Sequence, residues 1–283
     1  MTRQRGFTLV ELIVVMVVVG VIAGVLVLQL RPAMQSYLAI RQRANLTNQA
    51  DAALRRIIAE VHAAVPNSLR YTATAQGQCI EFVPTKDGGR FRTDIDTTNG
   101  KGTPLVPGAA TLSFDVLTDL DGADAQNDFI VVGNVNRDDA YDPAQVGTIA
   151  SIATPAPSGV AKSAITLEKA TTFPAGYEGG RFLVVPQNER AVTYTCTKAG
   201  TDSAGTGTGT IYRVTGYTPG KAPWPSCPTG PAILITKVSD CNILYKENEG
   251  ATQQSGYLQL QLGLAEGGEA AKLTMGAHVE NTP

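Results

Sequence analysis

The stretch Gly6–Leu30 reads GFTLVELIVVMVVVGVIAGVLVLQL, and the fold is decided by how it is read. From Phe7 to Leu30 every residue is apolar or small except Thr8, Glu11 and Gln29. About 20 such residues in helical form span the hydrocarbon core of a bilayer. The run is too long for the roughly 7–15-residue apolar region of a secretory signal, and no small-x-small cleavage site closes it. A short basic leader, MTRQRG, with Arg3 and Arg5, stands before it. Glu11 is out of keeping with the rest. A carboxylate at the centre of a bilayer costs about 2.5–3.5 kcal/mol on insertion scales, and segment 7–30 holds no Lys or Arg to pair with it. Its partner is therefore expected outside its own helix.

The helix does not end with the apolar run. Pro32 predicts a kink, and beyond it Leu46, Ala50, Leu54, Ile57, Val61 and Val65 follow one another every three or four residues. That spacing lays one apolar stripe along a helix, which Pro66-Asn67 ends. Residues 7–65 thus read as one nearly continuous helix about 90 Å long. Its transmembrane half is 7–30 and its amphipathic half lies within 31–66. The stripe needs a sheet to cover it, and residues 67–283 supply a β-rich head.

Short runs of β-branched and aromatic residues between turn signals predict strands at 79–84, 111–117, 128–133 and 181–186. Segments 191–197 and 210–217 flank GTDSAGTGTG and read as a hairpin with a long flexible loop. Segment 233–238 leads into 241–245. Near the end, Leu258, Leu260, Leu262 and Leu264 alternate with Gln259, Gln261 and Gly263, and 273–279 alternate likewise after the turn EGGE. Such alternation buries one face and wets the other. The expected class is α+β: one long helix on a single, mostly antiparallel meander.

Composition excludes more than it assigns. The net charge of −2 is too small to indicate a nucleic-acid partner. Its distribution is uneven: residues 31–70 carry a balance of +4 and residues from Tyr71 onward −7. With two histidines in the chain, His62 and His278, zinc and haem chemistry have almost no ligands. No HExxH, GxSxG, Walker loop or dinucleotide fingerprint is present, so no catalytic residue, metal site or cofactor is expected. The acidic stretch DLDGADAQND at 119–128 holds enough oxygens for Ca²⁺ but lacks the spaced EF-hand pattern, and reads as a solvated loop. Asn45-Leu46-Thr47 spells a sequon in mid-helix. Four cysteines, Cys79, Cys196, Cys227 and Cys241, predict two disulfides in a non-cytosolic domain, with three connectivities open. Because Cys196 and Cys227 bracket the 210–217 strand and the Pro-rich KAPWPSCP segment, Cys196–Cys227 and Cys79–Cys241 are the favoured pairs.

Gly6-Phe7-Thr8-Leu9-Val10-Glu11 after a short basic leader, followed by a long apolar run, resembles the signal of the type IV prepilin and pseudopilin family. The resemblance implies a pilin-like fold and no enzymatic activity. It implies that residues 1–6 are a leader cut after Gly6 by a prepilin peptidase, that the new amine of Phe7 is N-methylated, and that Glu11 serves subunit assembly. It also implies an inner-membrane, single-pass protein with its head in the periplasm, partnered with other pilins through the helix. The segment from Pro32 to Arg70, ending in a "PNS" exit, resembles the PilW/J-type group. RFLVVPQNERAVTYTC, VSDCNILY and GAHVENTP are similar to the MSHA pilus biogenesis family. Two functions are implied within the superfamily, a minor pilin near a fibre tip and a J-type secretion pseudopilin. A membrane-anchored adhesin is the reading outside it.

Overall fold

The computed structural model describes residues 6–120, 126–247 and 255–280. One helix, α1, runs from Leu9 to His62, about 80 Å at 1.5 Å per residue, and passes through Pro32. Strands β1 (Arg70–Thr74), β2 (Gly77–Phe82), β3 (Asp87–Arg90), β4 (Ala110–Val116) and β5 (Phe129–Val132) come after it. Next come β6 (Gly147–Ala153), β7 (Ser163–Thr172), β8 (Arg181–Val185) and β9 (Val192–Thr197). The chain continues with β10 (Gly209–Val214), β11 (Ile233–Lys246), β12 (Ser255–Glu266) and β13 (Glu269–Glu280).

The expected α+β class holds, a long helix on antiparallel strands, but the strands form two sheets where one was expected. The first has the order β1-β2-β9-β10-β11-β12-β13, a meander broken only between β2 and β9. Helix α1 lies across it, packed most closely on β13 and then β12. The predicted stripe is what it buries: Leu46, Ala50, Leu54, Ile57 and Val61, joined by Ala53. The alternating leucines of β12 meet them from the other side. The β12–β13 turn needs two residues with positive φ, and Gly267 (57°) and Gly268 (85°) provide them. The predicted strands 233–238 and 241–245 are one strand, β11, bent by a register shift between Val238 and Asp240.

The second sheet occupies the break between β2 and β9, in the order β3-β8-β5-β6-β7-β4. It curls until its ends meet. Phe91 bridges Val116, Leu117 N donates to Arg90 O at 2.8 Å, and Arg92 N donates to Asp115 O at 2.9 Å. The result is a six-stranded barrel filled by its own aromatic and branched residues, among them Phe91, Phe114, Phe173 and Phe182. The single-sheet expectation fails because β2 pairs β9 across more than a hundred residues, and local alternation carries no sign of which strands are neighbours. Strands β1, β3, β6 and β7 were also not anticipated. β3 and β1 are short and half-exposed, and β6 and β7 are built largely from Ala, Ser and Thr.

The barrel sits at the end of α1 farthest from the apolar run. Val65 packs with Val83, Val131, Tyr141 and Val185 in a separate small core. The "PNS" exit makes the joint: Asn67 takes a positive φ of 61°, its side-chain amide donates to Asn134 O at 3.0 Å, and Asn134 returns a bond to Pro66 O at 2.5 Å. Ser68 Oγ, fully buried, donates to Val65 O and accepts from Val83 N.

Candidate functional site

The site is the free part of α1. Packing against the head begins near Gln42, whose side-chain amide donates to Glu266 O at 2.7 Å, and Arg43, which pairs with Glu269. Residues 9–38 are exposed along their whole length, about 45 Å of helix. Every residue from Gly6 to Leu38 is exposed. The apolar window has a mean hydropathy of 3.0 and none of it is buried. Among the described residues this is the one helix long and apolar enough to cross a membrane. So much apolar surface in water is unstable at about 25 cal/mol per Å², so lipid or other helices must cover it. Gly20 and Gly24 are one turn apart, and a Cβ added at either would touch nothing within 4 Å. That leaves a smooth strip on which another helix can approach closely.

At Glu11 the structure adds a local contact to the expected one. Thr8 is the N-cap of α1: Glu11 N donates to Thr8 Oγ1 at 3.3 Å, and Thr8 N donates to Glu11 Oε2 at 3.4 Å. This reciprocal pair is a capping box, which satisfies two backbone donors that a helix start leaves open. The carboxylate therefore has a partner in its own chain. The T-x-x-E spacing of Thr8 and Glu11 is the sequence signal for it. Both residues lie after Gly6, so cleavage there leaves the box intact. One carboxylate oxygen remains available to a cation from outside. Gly6 has open space around its Cα and Phe7 is 83% exposed. Arg3 and Arg5 lie outside the described residues.

The other candidates lie away from the free part of α1. His62 is exposed at the end of α1, and His278 is exposed on β13 with its ring 5.6 Å from that of Tyr257. Among the described residues no three His, Cys, Asp or Glu gather as metal ligands. Part of the acidic loop, 121–125, lies outside the described residues. At its ends Asp119 pairs with Lys162, and Asp128 pairs with Lys86 at 2.5 Å and accepts from Gln187 N. Leu46 of the sequon is fully buried. The loop expected to be flexible is docked instead: Gly207 N donates to Ala265 O at 2.9 Å and Gly267 N to Thr206 Oγ1 at 3.2 Å, against the β12–β13 turn.

The disulfides join Cys79 to Cys227 and Cys196 to Cys241, with Cα separations of 5.6 and 6.6 Å. This is the connectivity the sequence reading did not favour. The reason is strand parity. Ile80 and Phe82 face the helix, so Cys79 faces the opposite side; Val192 and Tyr194 face the helix, and Cys196 with them. Either favoured pair would have had to pass through the sheet.

With this geometry in place, comparison with known families adds one finding. The model of the prokaryotic N-terminal methylation motif matches residues 1–27. Nothing among the curated proteins or the solved structures matches the chain. The matched motif, the lone apolar helix and the antiparallel head together support a type IV pilin- or pseudopilin-like protein anchored in a membrane by a single pass.

Proposed function

We propose that this protein is a minor pilin that takes part in initiating assembly of a type IV pilus of the MSHA type, as an MshO-like subunit held at low copy near the fibre tip. The observation carrying this reading is the exposed apolar helix, preceded by Gly6 and Phe7 and holding Glu11 in its first turn, whose start is matched by the methylation motif. A prepilin peptidase cuts after Gly6, where a residue without Cβ allows close approach of the enzyme, and Phe7 receives the methyl group. Before assembly the helix lies in the inner membrane with the head in the periplasm. Glu11 then offers its carboxylate to the Phe7 amine of a neighbouring pilin, a pairing strengthened by low dielectric. The J-type pseudopilin and anchored-adhesin readings share the anchor. The adhesin alone has no use for Gly6.

The test uses three variants of the full chain. Gly6→Val is expected to remain uncut, and a mature protein starting anywhere but Phe7 overturns the reading. Glu11→Ala keeps the Thr8 cap bond to the residue-11 backbone but loses the reciprocal half of the box and the charge, whereas Glu11→Gln keeps the whole box and loses only the charge. Both are expected to be processed, to stay in the membrane, and to lose crosslinking to partner pilins and most pili by microscopy. Wild-type pilus numbers with Glu11→Gln would reduce the carboxylate to a cap.

A further inference from the structure

Between β10 and β11 the chain runs through a strap, residues 215–232, with prolines at 219, 223, 225, 228 and 231 and no helix or strand. Side chains hold it in place. Tyr217 Oη donates to Glu81 at 2.8 Å and Trp224 Nε1 donates to the same oxygen at 3.0 Å. Gly220 O and Lys221 O accept from the two terminal nitrogens of Arg70 at 3.0 and 2.6 Å. Cys227 is bonded to Cys79. Arg70 is 1% exposed and belongs to β1, yet it also reaches the barrel: its guanidinium lies 3.3 Å from the ring centre of Tyr141 and donates to Asp138 at 2.7 Å. Lys221 of the strap pairs with Asp142 at 2.8 Å.

We propose that the strap is an oxidation-set latch, through which the Cys79–Cys227 bond fixes the barrel on the body of the head. A proline-rich segment with no ladder of its own does not stay folded down on backbone bonds. The disulfide holds its far end against β2, which keeps the carbonyls of Gly220 and Lys221 over Arg70. Together with the carboxylates of Glu81, 3.6 Å away, and Asp138, those carbonyls complete the partners of a buried guanidinium, and a buried charge deprived of partners is strongly destabilising. Without the strap Arg70 turns to water, and its stacking on Tyr141 and bond to Asp138 go with it. In the forming step, two thiols give two electrons and two protons to the disulfide of a thiol-oxidising protein, which is left as a dithiol. The head thus becomes rigid only once that bond has formed. None of this depends on the N-terminal reading, and its failure would leave that reading untouched.

Hydrogen exchange on the full chain in detergent decides it. In Cys79→Ser/Cys227→Ser, amides of residues 134–142 are expected to exchange about tenfold faster or more, while those of β12 and β13 keep their rates. Cys196→Ser/Cys241→Ser, on the other face of the sheet, should leave 134–142 unchanged. Wild-type protection of 134–142 in the first variant overturns the latch. Should that variant lose protection everywhere, Arg70→Met with both disulfides intact carries the test. It is expected to loosen 134–142 and the strap together, and unchanged protection of 134–142 refutes the coupling.

Discussion

The helix-backed sheet and the barrel inserted into it face the same problem, an antiparallel sheet with one apolar face, and solve it in opposite ways. The body covers its face with the far half of α1, so its core joins Leu46 to residues more than 200 positions later, such as Leu262. It keeps two open edges, β1 and β13. The barrel covers its face by curling onto itself, draws its core from residues 91–184, and a closed sheet has no edge. The two halves therefore differ in autonomy. The barrel has its own core, and is expected to lose structure as a unit separate from the body.

Two core truncations test that separation with the largest effect. Phe114 and Leu54 are both essentially fully buried, one in each core. Phe114→Ala is expected to destabilise the barrel by about 3–5 kcal/mol, and Leu54→Ala the body by about 2–5 kcal/mol. Residue-resolved hydrogen exchange should show each loss confined to its own half. Equal loosening of both halves by either variant would make the head one cooperative unit and end the contrast. A smaller effect belongs to the body alone: removing the Cys196–Cys241 bond, which closes a loop of sequence separation 45, is expected to cost about 2–4 kcal/mol. Chemical denaturation of Cys196→Ser/Cys241→Ser measures it, and a loss concentrated in the barrel would contradict the assignment of that bond to the helix side.

The same contrast explains what could be read in advance. The body's elements announce themselves because each buries one face: the i, i+3, i+4 stripe of α1 and the leucines of β12 are visible without knowing any neighbour. The barrel's β6 and β7 bury Ile149, Ile165 and Leu167 among Ala, Ser and Thr, a signal too dilute to separate from loop. Barrel closure through Phe91 and Val116 depends on registers between strands distant in sequence, which no local pattern records. Cysteine pairing was partly legible, since the parity of Ile80 and Tyr194 puts Cys79 and Cys196 on opposite faces. Thr8 was legible too, as the first member of a capping box. The Arg70 cluster was not, because apart from Glu81 its partners come from the barrel and the strap, 68 to 151 residues away.

The smallest expected effect concerns pH, where two ion networks answer acid in opposite senses. In the body, Arg213 forks between Glu60 and Glu189, with distances of 2.8 and 3.1 Å to Glu189. The hydrogen bonds from Arg213 hold the Glu189 carboxyl below its ordinary value of 4.5. Such a group stabilises the fold above 4.5, and that contribution is lost as pH falls through the folded value. At the joint with the barrel, burial pushes Glu81 above 4.5 despite Tyr217, Arg70 and Trp224. The folded chain then takes up this proton more readily than the unfolded one, so stability grows as pH is lowered from neutrality toward 4.5. Denaturation midpoints across pH are therefore expected to rise and then fall on acidification. Glu81→Gln should flatten the rise, and Glu189→Gln should soften the fall below 4.5. A rise that persists in Glu81→Gln would mean that the Arg70 cluster holds the Glu81 charge more firmly than burial opposes it. The joint would then behave like the body, as one more favourable ion pair.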